Sequence, residues 1–434
     1  MNALLGFSAF LAGMLVLLAT GTPVAVAMGL LGAIGVALLL PPAAITQLAT
    51  IAFAQSANFV LVVVPLFVLM GETLAATSIG RDLFTAAQIW LRRLPGALAV
   101  GTVLACAAFA AVCGSSPVTA ATIGAMAVPE MIAKGYDRRL ALGVTAAGGT
   151  LGILIPPSIP MILYGVITET SIGALFIAGI VPGILMAAML AGTAIYRAWR
   201  NPLLAPRASD RIAERERWTS LRSVIPVMVL AVAVLGSIYT GFATPTEAGA
   251  VGALGAIAIA AVLGALKRKV VVRILDSTAR TTAMFILLIV GGLFSAFVLA
   301  RLGIPQATAK ALVQLQLAPW VILVLINLLL VLLGMFMDPM SLMVIIVPVF
   351  FPAVVALGYD PVWFGVVITI NIEIAAISPP VGFNLFVLKS VIPGVHMKDI
   401  VMGSLIFIVP LALGIGMLIA WPEIALFLPR LMLK

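Results

Sequence analysis

The sequence predicts an all-α integral membrane protein made of two repeats of opposite membrane orientation, with about 10–12 transmembrane segments and two re-entrant helical hairpins. Three observations carry this prediction: a composition suited to lipid, a match of the chain with itself at a fixed offset, and basic loops that change sides between the matching halves. Of 434 residues, 63% are hydrophobic and 9% charged, whereas a soluble domain devotes roughly a quarter of its residues to charge. Apolar stretches of about 17 to 25 residues, enough to cross a hydrocarbon core of roughly 30 Å, recur from Leu4 to Ala420. No basic residue precedes Arg81, so the first stretch lacks the charged n-region of a secretory signal and is expected to stay as a transmembrane helix. The net charge of +9 does not point to nucleic acid, because Arg and Lys gather in short connections, as cytoplasmic loops require. Cys106 and Cys113 stand in an apolar run, where they read as small packing residues.

Charge then orders the segments. The stretch from Arg197 to Arg222, with Arg200, Arg207, Arg211, Arg215 and Arg217, is the strongest basic connection and is placed in the cytoplasm. It divides the chain into an N-terminal repeat, 1–196, a basic linker, 197–223, a C-terminal repeat, 224–420, and a tail, 421–434. The connections carrying Arg81, Arg92 and Arg93, and Lys134, Arg138 and Arg139, are also basic. The apolar run 96–133 therefore begins and ends on one side. Its middle, GSSPVTAAT at 114–122, is small and broken by Pro117. That describes a re-entrant hairpin, whose irregular tip is tolerated at membrane depth only against protein or a cavity. A second run, 318–356, is interrupted at GMFMDPMS, 334–341, and its flanks are poor in Lys and Arg. It reads as the same hairpin entering from the other side. The stretch 80–93 is amphipathic and suits an interfacial helix anchored by Trp90.

A shift of 223 residues brings Pro129 onto Pro352, Gly135-Tyr136-Asp137 onto Gly358-Tyr359-Asp360, and Pro156-Pro157 onto Pro379-Pro380. Thr22-Pro23 meets Thr244-Pro245 at 222. Basic residues reverse between the copies. Residues 41–50 have no Lys or Arg, but 264–273 have four; 81–93 have three Arg against Lys310 alone in 304–316. An odd number of crossings per copy puts the second copy in upside down. Inverted repeats with broken helices at the midplane are the architecture of secondary transporters.

The candidate sites follow the breaks. GGTLGILIPPS at 148–158 and NIEIAAISPPVG at 371–382 each contain a Pro-Pro pair that frees carbonyls within a span. A small monovalent cation needs several oxygens. The first repeat offers Ser115, Ser116 and Thr119 at the tip with Gly152, Ile155 and Pro156 at the break; the second offers Gly334 and Asp338 with Ala375, Ser378 and Val381. The acids Asp338 and Glu373 lie within apolar runs and are candidates to neutralise a cation or carry a proton. Ser116, Pro157, Asp338, Glu373 and Pro380 are the candidate cargo contacts. Glu72, Glu130, Glu169 and Glu247 read as helix-end or solvated acids, and His396 as a solvated loop residue. A single His, with no HExxH and no GxxxxGK[ST], speaks against an enzyme and against ATP hydrolysis by this chain.

Seven segments together resemble the large membrane subunit of the tripartite ATP-independent periplasmic (TRAP) transporters: GTPVAVAMG at 21–29, VPLFVLMGE at 64–72, GSSPVTAATIGAMAVPEM at 114–131, GYDRRLALG at 135–143, GTLGILIPPSIPMILYG at 149–165, TPTEAGAVG at 244–252 and ISPPVGFNLFV at 377–387. The resemblance implies uptake of an organic acid across the bacterial inner membrane, driven by a sodium gradient, as an elevator-like movement of a hairpin-bearing domain against a scaffold. It also implies two partners, a small four-helix membrane subunit and a soluble periplasmic binding protein that delivers the cargo. The family's Na+ sites lie at the tips and breaks, which correspond to the two clusters above. Ala375 departs from the family pattern, which favours Gly and a tighter turn. A stand-alone ion-coupled carboxylate transporter without a binding protein is the alternative. Dicarboxylates, sialic acid and other sugar or keto acids all remain open as cargo.

Overall fold

The computed structural model describes residues 3–206, 214–314 and 316–432, and among these every regular element is helical. The first half contains α1 (Ala3–Ala19), α2 (Val24–Leu39), α3 (Ile45–Ser56), α4 (Val63–Ala75), α5 (Ile79–Leu91), α6 (Ala97–Cys113), α7 (Ser116–Ala133), α8 (Arg138–Leu154), α9 (Ile159–Thr168) and α10 (Ile172–Arg200). The second contains α11 (Glu214–Tyr239), α12 (Pro245–Val262), α13 (Arg268–Arg301), α14 (Ile304–Gln314), α15 (Pro319–Gly334), α16 (Pro339–Ala356), α17 (Pro361–Ala376), α18 (Phe383–Val391) and α19 (Met397–Ala420), followed by α20 (Glu423–Met432). Six of the described helices are long and apolar enough to cross a bilayer alone. The hairpin arms α6 and α15, at 17 and 16 residues, reach only about 25 Å and stop short of a full crossing.

The repeat is visible element by element. Helices α7 and α16 begin and end 223 residues apart, and most other pairs follow within a few residues, α11 beginning about three turns before the counterpart of α1. Contacts between the halves come in exchanged pairs: α2 packs on α13 and α12 on α4, α9 on α16 and α18 on α7, α8 on α19 and α17 on α10. A two-fold axis relating the halves produces this pattern.

The repeated Gly-Tyr-Asp triplet has a local cause. Gly135 and Gly358 take φ of 79° and 86° just after α7 and α16, a left-handed conformation that stops a helix at low cost in glycine. Asp137 then caps α8 by accepting the Leu140 N–H at 2.9 Å, and Asp360 caps α17 by accepting Val362 and Trp363 N–H groups at 2.8 and 3.1 Å. Glu247 closes a capping box with Thr244 at the start of α12. Glu169 is the C-cap of α9, in a left-handed conformation, and His396 is exposed before α19.

Three boundaries differ from the sequence reading. The linker 197–223 is largely helical: α10 runs through Arg200, and α11 starts at Glu214 rather than 224. Arg207 and Arg211 lie outside the described residues. The tail contains α20, whose Ala425, Leu426 and Pro429 are buried as it packs on α10. The halves also diverge in one helix pair. The first has α3 and α4 in a pair bent by 49°, whereas the second has the continuous 34-residue α13. Asn58 caps the turn before α4 by accepting the Val60 N–H, and Pro65 sits in the first turn. Their counterparts 223 residues on, Thr281 and Leu288, let the helix run through.

The amphipathic α5 packs on α6 and α11. Its Trp90 is 45% exposed, meets Trp218 edge to face at 6.2 Å, and lies under the Arg217 guanidinium at 5.8 Å.

The seam between the halves at α2 and α13 is built on small residues. A Cβ on Gly32 would stand 2.5 Å from the Phe294 Cβ, and one on Gly291 would stand 2.4 Å from the Ala25 carbonyl oxygen. At that separation the Ser295 hydroxyl donates to the Met28 carbonyl at 2.7 Å. In lipid, where apolar surface is no cheaper than its surroundings, such backbone approach is what holds helices together. Gly32→Val is therefore expected to destabilise the fold by about 1–3 kcal/mol, read as a lower melting temperature of the purified protein in detergent. Gly236→Ala, which meets nothing within 4 Å, is expected to be neutral or slightly stabilising.

Candidate functional site

Each hairpin tip is fastened to the break of its own repeat. Helix α6 ends at Gly114, with φ of 67°, and the Gly114 carbonyl accepts the Ile159 N–H at 3.4 Å from beyond the first break. A Cβ at Gly114 would stand 2.6 Å from the Pro157 oxygen, so only glycine lets the tip come this close. In the second repeat the Met335 carbonyl accepts the Val381 N–H at 3.1 Å. Both Pro-Pro peptides, Pro156–Pro157 and Pro379–Pro380, are cis. The Ser158 hydroxyl bridges the first break, donating to the Ile153 carbonyl and accepting the Met161 N–H at 3.3 Å.

The first cluster converges on Gly152. A Cβ there would lie 2.7 Å from the Ser115 carbonyl oxygen and 2.8 Å from the Thr119 hydroxyl. Thr119 is fully buried, and its hydroxyl has no oxygen or nitrogen partner and only the soft Cys113 thiol as a polar side-chain neighbour. An orphaned buried hydroxyl costs about 1–3 kcal/mol, which a bound ion would offset. The donors are neutral oxygens, the chemistry that suits a hard cation of low charge. Ile155 and Pro156 follow directly along the break. Ser116 has a different partner: it is fully buried and lies 2.6 Å from the Asn384 side-chain nitrogen on α18 of the other half, and Asn384 also donates to the Ala146 carbonyl at 3.3 Å. Asn384 was not singled out by sequence reasoning. A buried amide two residues after the glycine of ISPPVG was the only signal for it.

The second cluster is chemically unlike the first. Asp338 caps α16, accepting Met340 and Ser341 N–H groups at 3.0 and 3.1 Å and the Ser341 hydroxyl. Ser378 donates to the Ile374 carbonyl at 2.7 Å. Ala375 lies in the last turn of α17, where its methyl group fills the space beside Gly334; a Cβ on Gly334 would stand 2.5 Å from it. The Ala375 methyl group is thus accommodated by a glycine on the facing helix. The repeat counterpart of Thr119 is Leu342, which supplies no oxygen. Unpaired polarity sits instead on Glu373, fully buried with both carboxylate oxygens unpartnered.

Between the tips lies a cavity of about 430 Å³ that brings together Ser115 and Ser116 of the first tip and Asp338 and Ser341 of the second. Pro157, Glu373 and Pro380, expected as cargo contacts, do not line it. Pro157 faces Gly114, and Glu373 is enclosed in the packing of α17. Glu72, a helix-end acid in the last turn of α4 as expected, also lines it, half-buried and with no side-chain hydrogen bond or ion pair among the described residues. Five helices present their N-termini to the cavity: α2 through Val24, α7 through Ser116, α9 through Ile159, α16 through Pro339 and α18 through Phe383. Three of them, α2, α7 and α18, have no side-chain cap. Their first N–H groups lack side-chain acceptors, apart from Pro117 of α7, which has no N–H, and each N-terminus carries about half a positive charge. No Lys, Arg or His lines this cavity.

Comparison with known proteins gives a consistent picture. A family profile described as "Tripartite ATP-independent periplasmic transporter, DctM component" matches residues 11–424. The C4-dicarboxylate TRAP transporter large permease protein DctM of Pseudomonas aeruginosa is 37% identical over 404 residues, covering 93% of each chain. The sialic acid TRAP transporter large permease protein SiaM of Vibrio cholerae is 34% identical, covering 87% of each. Among solved structures, the YdaH transporter of Alcanivorax borkumensis superposes with a TM-score of 0.63 at 17% identity, over 97% of this chain and 99% of that one. That likeness speaks to the fold alone.

Thr119→Val removes the orphan hydroxyl and keeps the side-chain shape. The unmodified protein is expected to melt higher in sodium chloride than in potassium chloride at equal ionic strength. Thr119→Val is expected to lose that difference while melting no lower in potassium chloride, because an unsatisfied buried hydroxyl has been replaced by a methyl group. A sodium-dependent shift that survives in Thr119→Val would assign the hydroxyl to structure.

Proposed function

The chain belongs to the DctM-component family of tripartite ATP-independent periplasmic transporters, as a multi-pass protein of the bacterial inner membrane, and we propose that it carries an organic carboxylate inward at the expense of a sodium gradient. It is a permease rather than an enzyme, as its relatives are named. The observation that carries the proposal is the central cavity, where five helix N-termini converge beside two carboxylates and no basic side chain. Uncapped N-termini attract an anion through backbone N–H groups. Glu72 and Asp338 oppose it. An anion therefore enters most favourably together with cations, which supports obligatory coupling.

In this reading sodium is a co-substrate. The Ser115 carbonyl and the Thr119 hydroxyl beside Gly152 hold one ion, and the oxygens around Ser378 and Val381 hold a second near the buried carboxyl group of Glu373. Each ion lies next to the fastening between tip and break, so its binding stiffens the tip that faces the cargo. The hairpins with α8, α9, α17 and α18 form the moving body, and α1–α5 with α11–α14 form the frame, in an elevator-like displacement. A small membrane subunit and a periplasmic binding protein complete the assembly, the second delivering the cargo. The relatives named for C4-dicarboxylates and sialic acid define the first acids to try.

The test is uptake into proteoliposomes that hold the large and small subunits, with the binding protein outside. Radiolabelled succinate and N-acetylneuraminate are offered under an inward sodium gradient and under a potassium gradient of equal size. Uptake of one acid is expected only with sodium and only with the binding protein. Equal uptake in potassium removes the coupling claim, and uptake without the binding protein favours a stand-alone carrier. Gly152→Ala, which pushes a methyl group against the Ser115 and Thr119 oxygens, is expected to raise the half-saturating sodium concentration at least several-fold with little change in the maximal rate.

A further inference from the structure

A second cavity, of about 470 Å³, adjoins the central one, and Glu72, Pro117 and Val118 belong to the walls of both. Its remaining wall comes from helix ends that face the basic connections: the end of α4 at Ala75 and Ala76, shortly before Arg81; the start of α13 at Arg273, after Lys267, Arg268 and Lys269; and the end of α18 at Ser390, beside Lys389. By the distribution of Lys and Arg this is the cytoplasmic side. A third cavity, lined by Asn58, Gly165, Thr170 and Thr244, is formed at the opposite ends of the helices and shares no wall residue with the central one. The central cavity thus adjoins the cytoplasmic cavity and not the outward one.

The chemistry changes along that route. Arg273 is the one basic residue in the second cavity, exposed and without an ion pair among the described residues, and hydroxyls of Thr122, Ser277 and Ser390 line the same space. A guanidinium flanked by hydroxyls is a receptor for a carboxylate or another small oxyanion. Glu72, on the shared wall, repels an anion from both sides.

We infer that the second cavity is a release subsite for an anionic cargo, where Arg273 holds the anion after it has passed Glu72. This rests on the carboxylate reading above. An anion leaving the helix N-termini crosses the field of Glu72 when its accompanying cation is near. Once the cation departs, the same carboxylate opposes return while Arg273 draws the anion to the cytoplasmic mouth. Release is thereby given a direction by two fixed charges.

The test needs no knowledge of the cargo. Ser390→Cys is made in a Cys106→Ala, Cys113→Ala background, and its modification rate is measured with an anionic (sulfonatoethyl) and a cationic (trimethylammonioethyl) methanethiosulfonate, each normalised to free cysteine. In inside-out membrane vesicles the anionic reagent is expected to be preferred. Arg273→Gln should reduce that preference about tenfold, the effect of one unit charge across a partly hydrated space, and Arg273→Lys should retain it. Sealed whole cells should be modified far more slowly, and succinate or N-acetylneuraminate, whichever the proteoliposomes take up, should slow modification in vesicles. A preference unchanged by Arg273→Gln, or equal modification from the outside, overturns the inference. Carboxylate uptake without an Arg273-dependent preference counts against this subsite alone; the preference without any carboxylate uptake counts against the cargo reading alone.

Discussion

The structure depends on satisfying irregular backbone in the middle of a membrane. Two chain reversals and two interrupted helices lie inside a bundle of membrane-spanning helices, where their N–H and C=O groups must find partners in protein or in a cavity because lipid offers none. The solution is mutual: the tip carbonyl of Gly114 takes the N–H of Ile159, and that of Met335 takes the N–H of Val381. Each defect is thus the partner of another defect in the same repeat. The central cavity lies between these fastened tips, and four of the five helix N-termini that face it start at a tip or a break, α2 being the exception.

Against that shared framework, the two repeats have diverged where oxygen chemistry is at stake. Gly152 leaves room beside the Ser115 and Thr119 oxygens, while its counterpart Ala375 carries a methyl group seated against Gly334. Thr119 has become Leu342, and Thr150, whose hydroxyl bonds to the Ala147 carbonyl, has become the buried and unpaired Glu373. The first repeat offers neutral hydroxyl and carbonyl oxygens, and the second offers a buried carboxyl group without a partner. Duplicated backbone and unequal chemistry give two non-equivalent polar clusters in one symmetric frame.

Most of the fold was legible in the sequence because its signals are local. The Gly-Tyr-Asp triplets encode a helix stop and an N-cap, the Pro-Pro pairs encode the breaks, and the fixed offset carries each assignment to the other half. What escaped is what depends on packing across the halves. Glu72 looks like a helix-end acid along the chain and becomes a cavity residue only because α4 lies against the first tip. Asn384 matters through Ser116, 268 residues away in sequence. Amphipathic α20 was hidden in a short tail, since its apolar face has meaning only against α10.

The glycine-lined seam between α2 and α13 bears on how such a protein is made. Helix α2 enters the membrane early in synthesis, with Gly32 and the Met28 carbonyl on a face that fits no lipid chain particularly well. Its partner leaves the ribosome only after the whole first repeat and the linker have been translated. For that interval the first half is an open hand, inserted but unclasped, and the tertiary fold closes only when the second copy of the same design arrives.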